Sequence, residues 1–229
     1  MNSEKIIFLD IDGTLIDYAQ KLPDSAREAI HLAQARGHKL LISTGRNKPN
    51  IYPWLFELRF DGMITGAGAF AEFGGKIVFE SAIPEAQISR VYTYFEDRKL
   101  GLYEESNSGL YGNRYFLSET ARSFGVSQDV AAENLLRTFP SLTFGHPHDH
   151  LDDNKVSFVM NPALSKAELE KEFGEYFRIG TWNIFGKGQG FGDFTQKHIT
   201  KASAVAILLD KLGLNREDTF AFGDSFNDI

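Results

Sequence analysis

Residues 6–15 have the sequence IIFLDIDGTL, and this stretch decides the fold. Its first part, Ile6–Leu9, is apolar at consecutive positions and is followed at once by the acidic residues Asp10 and Asp12. A short apolar run without alternation of polar and apolar positions is typical of a strand buried on both faces of a parallel sheet. The stretch therefore predicts a buried strand that ends in an acidic loop.

Two more apolar runs end in the same abrupt way. Leu40–Ile42 precedes the sequence STGR at residues 43–46, and Thr219–Phe222 precedes GDSFND at residues 223–228. We expect both runs to be buried strands like the first.

Helical periodicity separates the predicted strands. Apolar residues recur at offsets of three and four over Ser25–Arg36, where Asp24 or Ser25 is the expected N-cap, and again over Lys201–Leu212. Strands that alternate with helices at both ends of the chain predict an α/β fold with a Rossmann-like parallel-sheet core.

The middle of the chain has a different pattern. Residues 61–81 are rich in glycine and predict a strand followed by a hairpin. Beyond them we expect short strands over 102–104, 110–116, 156–160 and 177–182, and helices over 84–100, 130–137 and 166–173. This α+β character predicts two domains: a discontinuous core of residues 1–82 and 191–229, and an inserted α+β domain of residues 83–190.

Composition limits the classes of function. The 229 residues include 24 Lys and Arg against 31 Asp and Glu, a net charge of −7, which argues against a nucleic-acid-binding surface. Cys is absent, which excludes disulfides, thiolate zinc sites and cysteine nucleophiles. The longest aliphatic run, Ala204–Leu209, is far shorter than the roughly 18 residues that a membrane span needs. The first apolar run is too short for a secretory signal, so we expect a cytoplasmic protein.

The acidic residues after the predicted strands indicate a metal-dependent site. In an open parallel sheet, ligands bind outside the carboxyl ends of the strands, where we expect Asp10, Asp12, Asp224 and Asp228 to meet. Clustered carboxylates repel one another unless a hard cation lies among them, and oxygen ligands favour Mg²⁺.

Such a site suits chemistry at phosphorus. One carboxylate can act as the nucleophile, and a second can transfer protons. Thr44, beside the flexible Gly45, offers a hydroxyl donor, and Lys201 is the candidate cation. Lys201 is placed against local preference, because its charge opposes the dipole of the helix that it begins.

Four segments, in this order, resemble the motifs of the haloacid dehalogenase superfamily: DIDGTL at residues 10–15, STGR at 43–46, Lys201 within ITKA, and GDSFND at 223–228. The insert between the second and third motifs resembles the α+β cap of Cof-type, type IIB phosphatases. The resemblance implies a Mg²⁺-dependent phosphatase that acts on a small phosphorylated metabolite, such as a sugar phosphate, through an aspartyl-phosphate.

The resemblance also implies a role for each matching residue. Asp10 would be the nucleophile and Asp12 the general acid and base; an Asp at the second of these positions distinguishes phosphatases from dehalogenases. The other matches are the phosphate-binding residues Thr44, Gly45 and Lys201, and the metal ligands Asp10, Asp12 (through its backbone carbonyl), Asp224 and Asp228, with Asn227 in support.

Members of this superfamily usually continue for several tens of residues beyond the fourth motif, whereas the present chain stops at Ile229. We therefore expect a core that lacks its usual last strand and helix.

Several alternatives stay open. The acids could be ordinary turn residues, Thr44 could be a helix cap, and Lys197 could replace Lys201 as the phosphate-binding cation. The same motifs would serve a mutase that transfers the phosphoryl group to an acceptor hydroxyl, or a non-catalytic, phosphate-binding regulatory protein.

Two further motifs are expected to be structural. We expect HPHDH at residues 146–150 to be a solvated loop rather than a zinc site. The sequence GKGQGFG at residues 186–192 is expected to be a flexible return to the core, because it lacks the ending of a phosphate-binding loop and does not open a helix.

Overall fold

The computed structural model describes residues 4–17, 20–149, 152–162, 164–182 and 190–228. Contacts between Cα atoms divide the chain into two compact units. Unit 1 comprises Met1–Asn47, Ile51–Ser81 and His198–Ile229, and unit 2 comprises Lys48–Asn50 and Ala82–Lys197. Among the described helices, none is both long and apolar enough to cross a membrane.

Strands and helices follow one another along the chain as follows. The first part contains β1 (Ile6–Leu9), α1 (Asp24–Ala35), β2 (Lys39–Ser43), β3 (Gly62–Thr65), β4 (Phe70–Phe73) and β5 (Lys76–Glu80). The middle contains α2 (Glu85–Asp97), β6 (Leu102–Ser106), β7 (Leu110–Gly112), α3 (Phe116–Phe124), α4 (Gln128–Thr138), β8 (Leu142–Phe144), β9 (Asp153–Val159), α5 (Lys166–Phe173), β10 (Phe177–Trp182) and β11 (Phe191–Gln196). The last part contains α6 (Lys201–Leu212) and β12 (Thr219–Phe222).

Unit 1 is built on a mixed six-stranded sheet of order β12-β1-β2-β3-β4-β5. Its first four strands are parallel, and β4 and β5 add antiparallel pairs at the other edge. Because β1 pairs in parallel with both β12 and β2, the loops that follow these three strands lie together at the carboxyl ends of the strands. This carboxyl edge of the sheet therefore contains the ends of all three apolar runs.

Each face of this sheet buries its own cluster. Leu40 and Ile42 pack with Ile30 of α1 on one face, whereas Phe8 and Leu41 pack with α6 residues, among them Leu208, on the other. Side chains of a strand alternate between faces, so consecutive apolar residues are needed to fill both clusters. The predicted α/β fold class is confirmed.

The strand β12 differs from the prediction of a strand buried on both faces. It lies at the edge of the sheet, and its side chains Phe220 and Phe222 are 51% and 53% exposed. The helix α1 also begins differently: its N-cap is Pro23, without a side-chain hydrogen bond, rather than Asp24 or Ser25.

Unit 2 contains a second six-stranded sheet, of order β10-β11-β9-β6-β7-β8, which is antiparallel except for the pairing of β7 with β8. One apolar cluster joins this sheet to α2 and α5, and another joins it to α3 and α4. The architecture is the α+β one that the sequence predicts.

Four details of unit 2 differ from the expectations. The strand expected over 110–116 ends at Gly112, and helix α3, which periodicity did not indicate, begins at Phe116. The short strand β8 was likewise not expected. The chain returns to unit 1 at Lys197 and His198 rather than near residue 190, because β11 pairs with β9 and β10 and so belongs to unit 2.

Capping residues determine where helix α6 begins and ends. The Thr200 hydroxyl accepts from the Ser203 N–H, and the Ser203 hydroxyl accepts in turn from the Thr200 N–H, which forms a capping box. Gly213 ends the helix in the left-handed conformation. Lys201 is therefore held as the first residue of the helix.

Gly68 allows α6 to approach the loop after β3. Its φ is +109°, and a Cβ at this position would lie 2.2 Å from the Thr200 carbonyl oxygen. We expect Gly68→Ala to lower the free energy of unfolding by about 3 kcal/mol, because it combines backbone strain with a backbone clash.

Urea unfolding measures this effect, and Gly74→Ala is the matched control. Gly74 also has a positive φ, of +57°, but an added Cβ would meet nothing within 4 Å, so we expect a cost of only about 1 kcal/mol. Equal losses for the two variants would contradict the role assigned to the approach of α6.

Candidate active site

Asp10 lies directly after β1, at the carboxyl edge of the unit 1 sheet. Its backbone N–H donates to the carbonyl oxygen of Phe222 at 3.0 Å and so continues the parallel pairing of β1 with β12 beyond Leu9. Only 6% of the residue is exposed. The sheet therefore presents a nearly buried carboxylate at this edge.

Lys201 joins two carboxylates that come from distant parts of the chain. Its Nζ donates to Asp10 Oδ1 at 2.8 Å and to Asp228 Oδ1 at 2.6 Å. The three side chains are 4%, 9% and 11% exposed for Lys201, Asp10 and Asp228, respectively. One ammonium group faces two carboxylates in a setting with little water, so this group of three carries excess negative charge.

The pKa of Asp10 reflects this environment. Burial is the largest influence and raises this pKa above the ordinary value for an aspartate, whereas the charge of Lys201 and its hydrogen bond lower it. The neighbouring charge of Asp228 raises the pKa further. A further cation near Asp10 would favour its ionised form.

Asp224 completes an acidic cluster with Asp10 and Asp228. Each of the three offers a carboxylate oxygen, and these oxygens all lie within 4.8 Å of one another. Gly13 makes room for Asp224, since a Cβ on Gly13 would lie 2.3 Å from Asp224 Oδ2. Metal ligand atoms that are all negatively charged oxygens and lie close together fit a hard cation such as Mg²⁺.

Thr44 and Gly45 lie at the same edge, after β2. Thr44 is buried, and its Oγ1 accepts from the Arg46 N–H at 3.1 Å. A Cβ on Gly45 would be 3.9 Å from Nδ2 of Asn227, so the loops after β2 and β12 contact each other here. The Asn227 side chain is in turn held by the Ser225 hydroxyl, which donates to its Oδ1 at 2.8 Å.

The Asp12 side chain lies outside the acidic cluster. It is 50% exposed and binds the Arg46 guanidinium through both oxygens, with Nε to Oδ2 at 2.7 Å and Nη2 to Oδ1 at 2.8 Å. A metal contact through the backbone carbonyl of Asp12 does not require its side chain to join the cluster. The structure thus separates the carboxylate expected to transfer protons from the three that are grouped together.

Arg46 and Tyr52 are the residues that the sequence analysis missed. Arg46 Nη2 donates to the Tyr52 hydroxyl at 2.9 Å, and its guanidinium carbon lies 4.6 Å from the centre of the Tyr52 ring. The signal available in the sequence was the position of Arg46 in STGR, directly after the predicted phosphate-binding pair. Nothing local pointed to Tyr52.

The rival cation Lys197 lies elsewhere. It belongs to unit 2, and its Nζ donates to the carbonyl oxygen of Gly174 at 2.8 Å. Among the described residues, Lys201 is therefore the lysine that contacts Asp10.

The sequence GKGQGFG was expected to be a flexible return to the core. Its residues 186–189 lie outside the described part of the chain, and Phe191 begins β11.

Comparison with known proteins agrees with this geometry. A family profile described as haloacid dehalogenase-like hydrolase matches residues 7–229. The Bacillus subtilis protein YkrA, named as a candidate phosphatase, is 25% identical over 229 residues, which cover 98% of this chain and 81% of YkrA. The 5-amino-6-(5-phospho-D-ribitylamino)uracil phosphatase YcsE of B. subtilis is 27% identical over 225 residues, which cover 98% of this chain and 78% of YcsE.

The solved structures extend the comparison to the fold. BT4131, described as a sugar phosphatase of haloacid dehalogenase subclass IIB, superimposes with a TM-score of 0.71 at 24% identity, covering 98% of this chain and 82% of BT4131. The chain therefore shares its fold with this subclass IIB phosphatase. With a profile that matches nearly the whole length and with relatives named as phosphatases, the chain belongs to the haloacid dehalogenase-like hydrolase family and is an enzyme of the phosphatase type.

Proposed function

We propose that this protein is a cytoplasmic, Mg²⁺-dependent phosphatase that hydrolyses a small phosphorylated metabolite, with Asp10 as the nucleophile. One observation carries the proposal: Asp10, Asp224 and Asp228 form a compact acidic cluster at the carboxyl edge of the sheet, and Lys201 contacts two of them. A carboxylate held beside both a cation and a set of metal ligands suits attack on a phosphate ester.

The reaction would proceed in two displacements at phosphorus. In the first, a carboxylate oxygen of Asp10 bonds to phosphorus while the bond to the ester oxygen breaks, and protonated Asp12 gives its proton to the leaving alcohol. In the second, Asp12 takes a proton from water as that water attacks phosphorus, which releases inorganic phosphate and restores Asp10. The bidentate pair with Arg46 would orient ionised Asp12, the form that the second step needs. For the first step, one of the two bonds to Arg46 would give way to the proton, and the other would still hold Asp12.

The remaining residues would stabilise the charge of the phosphoryl group. Lys201 supplies a positive charge, and Thr44 and Gly45 supply neutral hydrogen-bond donors. When bound to Asp10, Asp224, Asp228 and the backbone carbonyl of Asp12, Mg²⁺ would offset the negative charge of the phosphoryl oxygens. Asn227 would support this arrangement from its position beside Gly45.

Removal of the divalent ion tests this role. We expect dialysis against EDTA to reduce hydrolysis of p-nitrophenyl phosphate by at least about 100-fold, because Lys201 alone would then offset the charges of Asp224 and Asp228 beside the phosphoryl group. Addition of Mg²⁺ should restore the rate, whereas addition of Na⁺ at equal ionic strength should not. Full activity in EDTA would contradict the proposed metal dependence.

For the substrate class we propose sugar phosphates and related organic phosphates. Two relatives support this choice: YcsE is named for a phosphorylated ribityl compound, and BT4131 is described as a sugar phosphatase. The test is phosphate release from a panel of sugar phosphates, sugar-alcohol phosphates, nucleotides and phosphorylated acids. A preference for nucleotides over all sugar phosphates would overturn this choice of class.

The same chemistry also allows transfer of the phosphoryl group to an acceptor hydroxyl, as in a mutase, since the aspartyl-phosphate is common to both reactions. Product analysis with and without an added sugar acceptor separates the two. We expect inorganic phosphate in both cases, and a new phosphorylated sugar would favour the mutase. A non-catalytic role does not agree with the assignment to the phosphatases.

Arg46 provides a prediction that the motifs alone do not give. We expect Arg46→Met to lower kcat by roughly 10- to 100-fold with a smaller change in KM, because Asp12 would lose the two bonds that orient it. Steady-state kinetics measure this, with Arg27→Met on the exposed surface of α1 as the control. A change confined to KM would instead assign Arg46 to substrate binding.

A further inference from the structure

Unit 2 contains a second cluster of potential metal ligands. Glu104 lies on β6, His148 in the loop after β8, and Asp153 at the start of β9. One ligand atom from each lies within 4.8 Å of the others. Glu104 and Asp153 are each 1% exposed, and the His148 side chain is 14% exposed. Three separate segments thus bring two carboxylates and one imidazole together beneath the surface.

The His148 ring is held in position from its far side. Nδ1 lies 2.6 Å from Glu104 Oε1, while Nε2 lies 3.3 Å from the hydroxyl of Ser89 on α2. The ring also stacks on Tyr92, with centroids 5.4 Å apart and planes 28° apart. In metal sites, the second nitrogen of a ligating histidine typically has a hydrogen-bond partner that fixes the ring, and Ser89 is in the position of such a partner.

The sequence expectation for this loop is wrong at His148. HPHDH was expected to be solvated, yet His148 turns into unit 2 beside two buried acids; His150 lies outside the described residues. The three groups share a poorly hydrated setting, where ionised carboxylates attract a nearby cation more strongly than they would in water.

We propose that Glu104, His148 and Asp153 form a binding site for a divalent transition-metal ion, with Zn²⁺ as the best fit, that fastens the loop after β8 to β6 and β9. One imidazole nitrogen and two carboxylate oxygens are ligands that Zn²⁺ accepts, and an imidazole ligand disfavours Mg²⁺ and Ca²⁺. Ligand atoms of tetrahedral Zn²⁺ lie about 3.3 Å apart, given bonds of about 2.0 Å. The ligand atoms of the three residues lie within 4.8 Å of one another, with His148 Nδ1 at 2.6 Å from Glu104 Oε1, so a bound ion would have to move these two atoms slightly apart. This site is separate from the proposed phosphatase chemistry.

The competing occupant is a proton. If His148 is protonated, its ion pair with Glu104 offsets part of the charge without any metal. The two possibilities differ in a measurable way, because only the first binds one Zn²⁺ per chain. The experiment must also prevent Zn²⁺ from binding the acidic cluster of unit 1.

The test uses the full chain with Asp10→Asn and Asp224→Asn as the background, so that the unit 1 cluster keeps one acid. Titration calorimetry with ZnCl₂ should give one site per chain, and Zn²⁺ should raise the unfolding temperature. Adding His148→Ala or Asp153→Asn should weaken binding by at least about 100-fold and abolish the thermal shift. His146→Ala, in the same loop, is the control that should retain both.

Two outcomes would overturn the proposal: no Zn²⁺ binding to the background protein, or equal binding after His148→Ala. If circular dichroism shows that the added substitutions unfold the chain, X-ray absorption at the zinc edge on the background protein decides. We expect one imidazole among oxygen ligands, and a coordination shell without imidazole would overturn the assignment. None of these measurements uses phosphatase activity, so they stand or fall independently of the proposed function.

Discussion

Replacement of Asp10 by Asn is expected to lower the hydrolysis of p-nitrophenyl phosphate by at least roughly 10⁴-fold, as is typical when a nucleophile is removed. Asn has nearly the same shape, but its amide cannot form the acyl phosphate, and it removes one charge from the pair with Lys201. The loss should appear in kcat, because the proposed covalent step is removed rather than substrate binding.

The matched control is Asp17→Asn, the same chemical change in the same loop at an exposed position, which should leave the rate unchanged. Mass spectrometry of the acid-quenched reaction adds a second readout. We expect one phosphoryl group on the peptide that contains Asp10 in the unsubstituted protein and none in the variant. Equal turnover by Asp10→Asn would exclude Asp10 as the nucleophile.

Lys201→Met is expected to affect both stability and catalysis. The lysine is 4% exposed and contacts two carboxylates, so its removal leaves Asp10 and Asp228 buried without their common cation. Breaking such a buried arrangement typically costs about 3–5 kcal/mol of unfolding free energy. Activity should fall by roughly 10²- to 10³-fold, because a charge that stabilises the phosphoryl group is lost.

Urea unfolding without Mg²⁺ and steady-state kinetics measure the two effects. Lys211→Met is the control, since Lys211 lies on the same helix but is exposed and donates to the Val78 carbonyl oxygen. If the Lys201→Met variant had normal stability and normal activity, Lys201 would not have the role proposed for it in the site. Loss of stability with unchanged kcat would assign it a structural role alone.

The sequence predicted elements best where both ends carry local signals. The bounds of α5 and α6 were predicted correctly, because Ser165 and Thr200 cap their first turns and a glycine follows each helix. Helix α3 was missed, since no side chain caps it and its nine residues follow directly on the polar turn after β7. Phe116 packs into the apolar cluster that joins the unit 2 sheet to α3 and α4, and this packing stabilises helix α3.

In the candidate site too, the sequence predicted some features and not others. Its acids could be predicted because each follows an apolar run, and strands of a parallel sheet end at one edge. Which side chains contact one another there was not predictable. Asp12 turned to Arg46, and Lys201 became the common partner of Asp10 and Asp228. These choices depend on the register of β1 against its neighbours and on the depth at which α6 packs.

By itself, the sequence determined the family, the α/β fold class and the identities of the acids at the strand ends, because period, capping and motif order are encoded within short segments. The tertiary structure alone decided which charges share a buried environment: Lys201 meets Asp10 across 191 positions of chain, and His148 meets Glu104 and Asp153 inside unit 2. Local patterns specify how one segment folds, whereas electrostatic partners and burial are set only when sheets and helices from distant segments pack together.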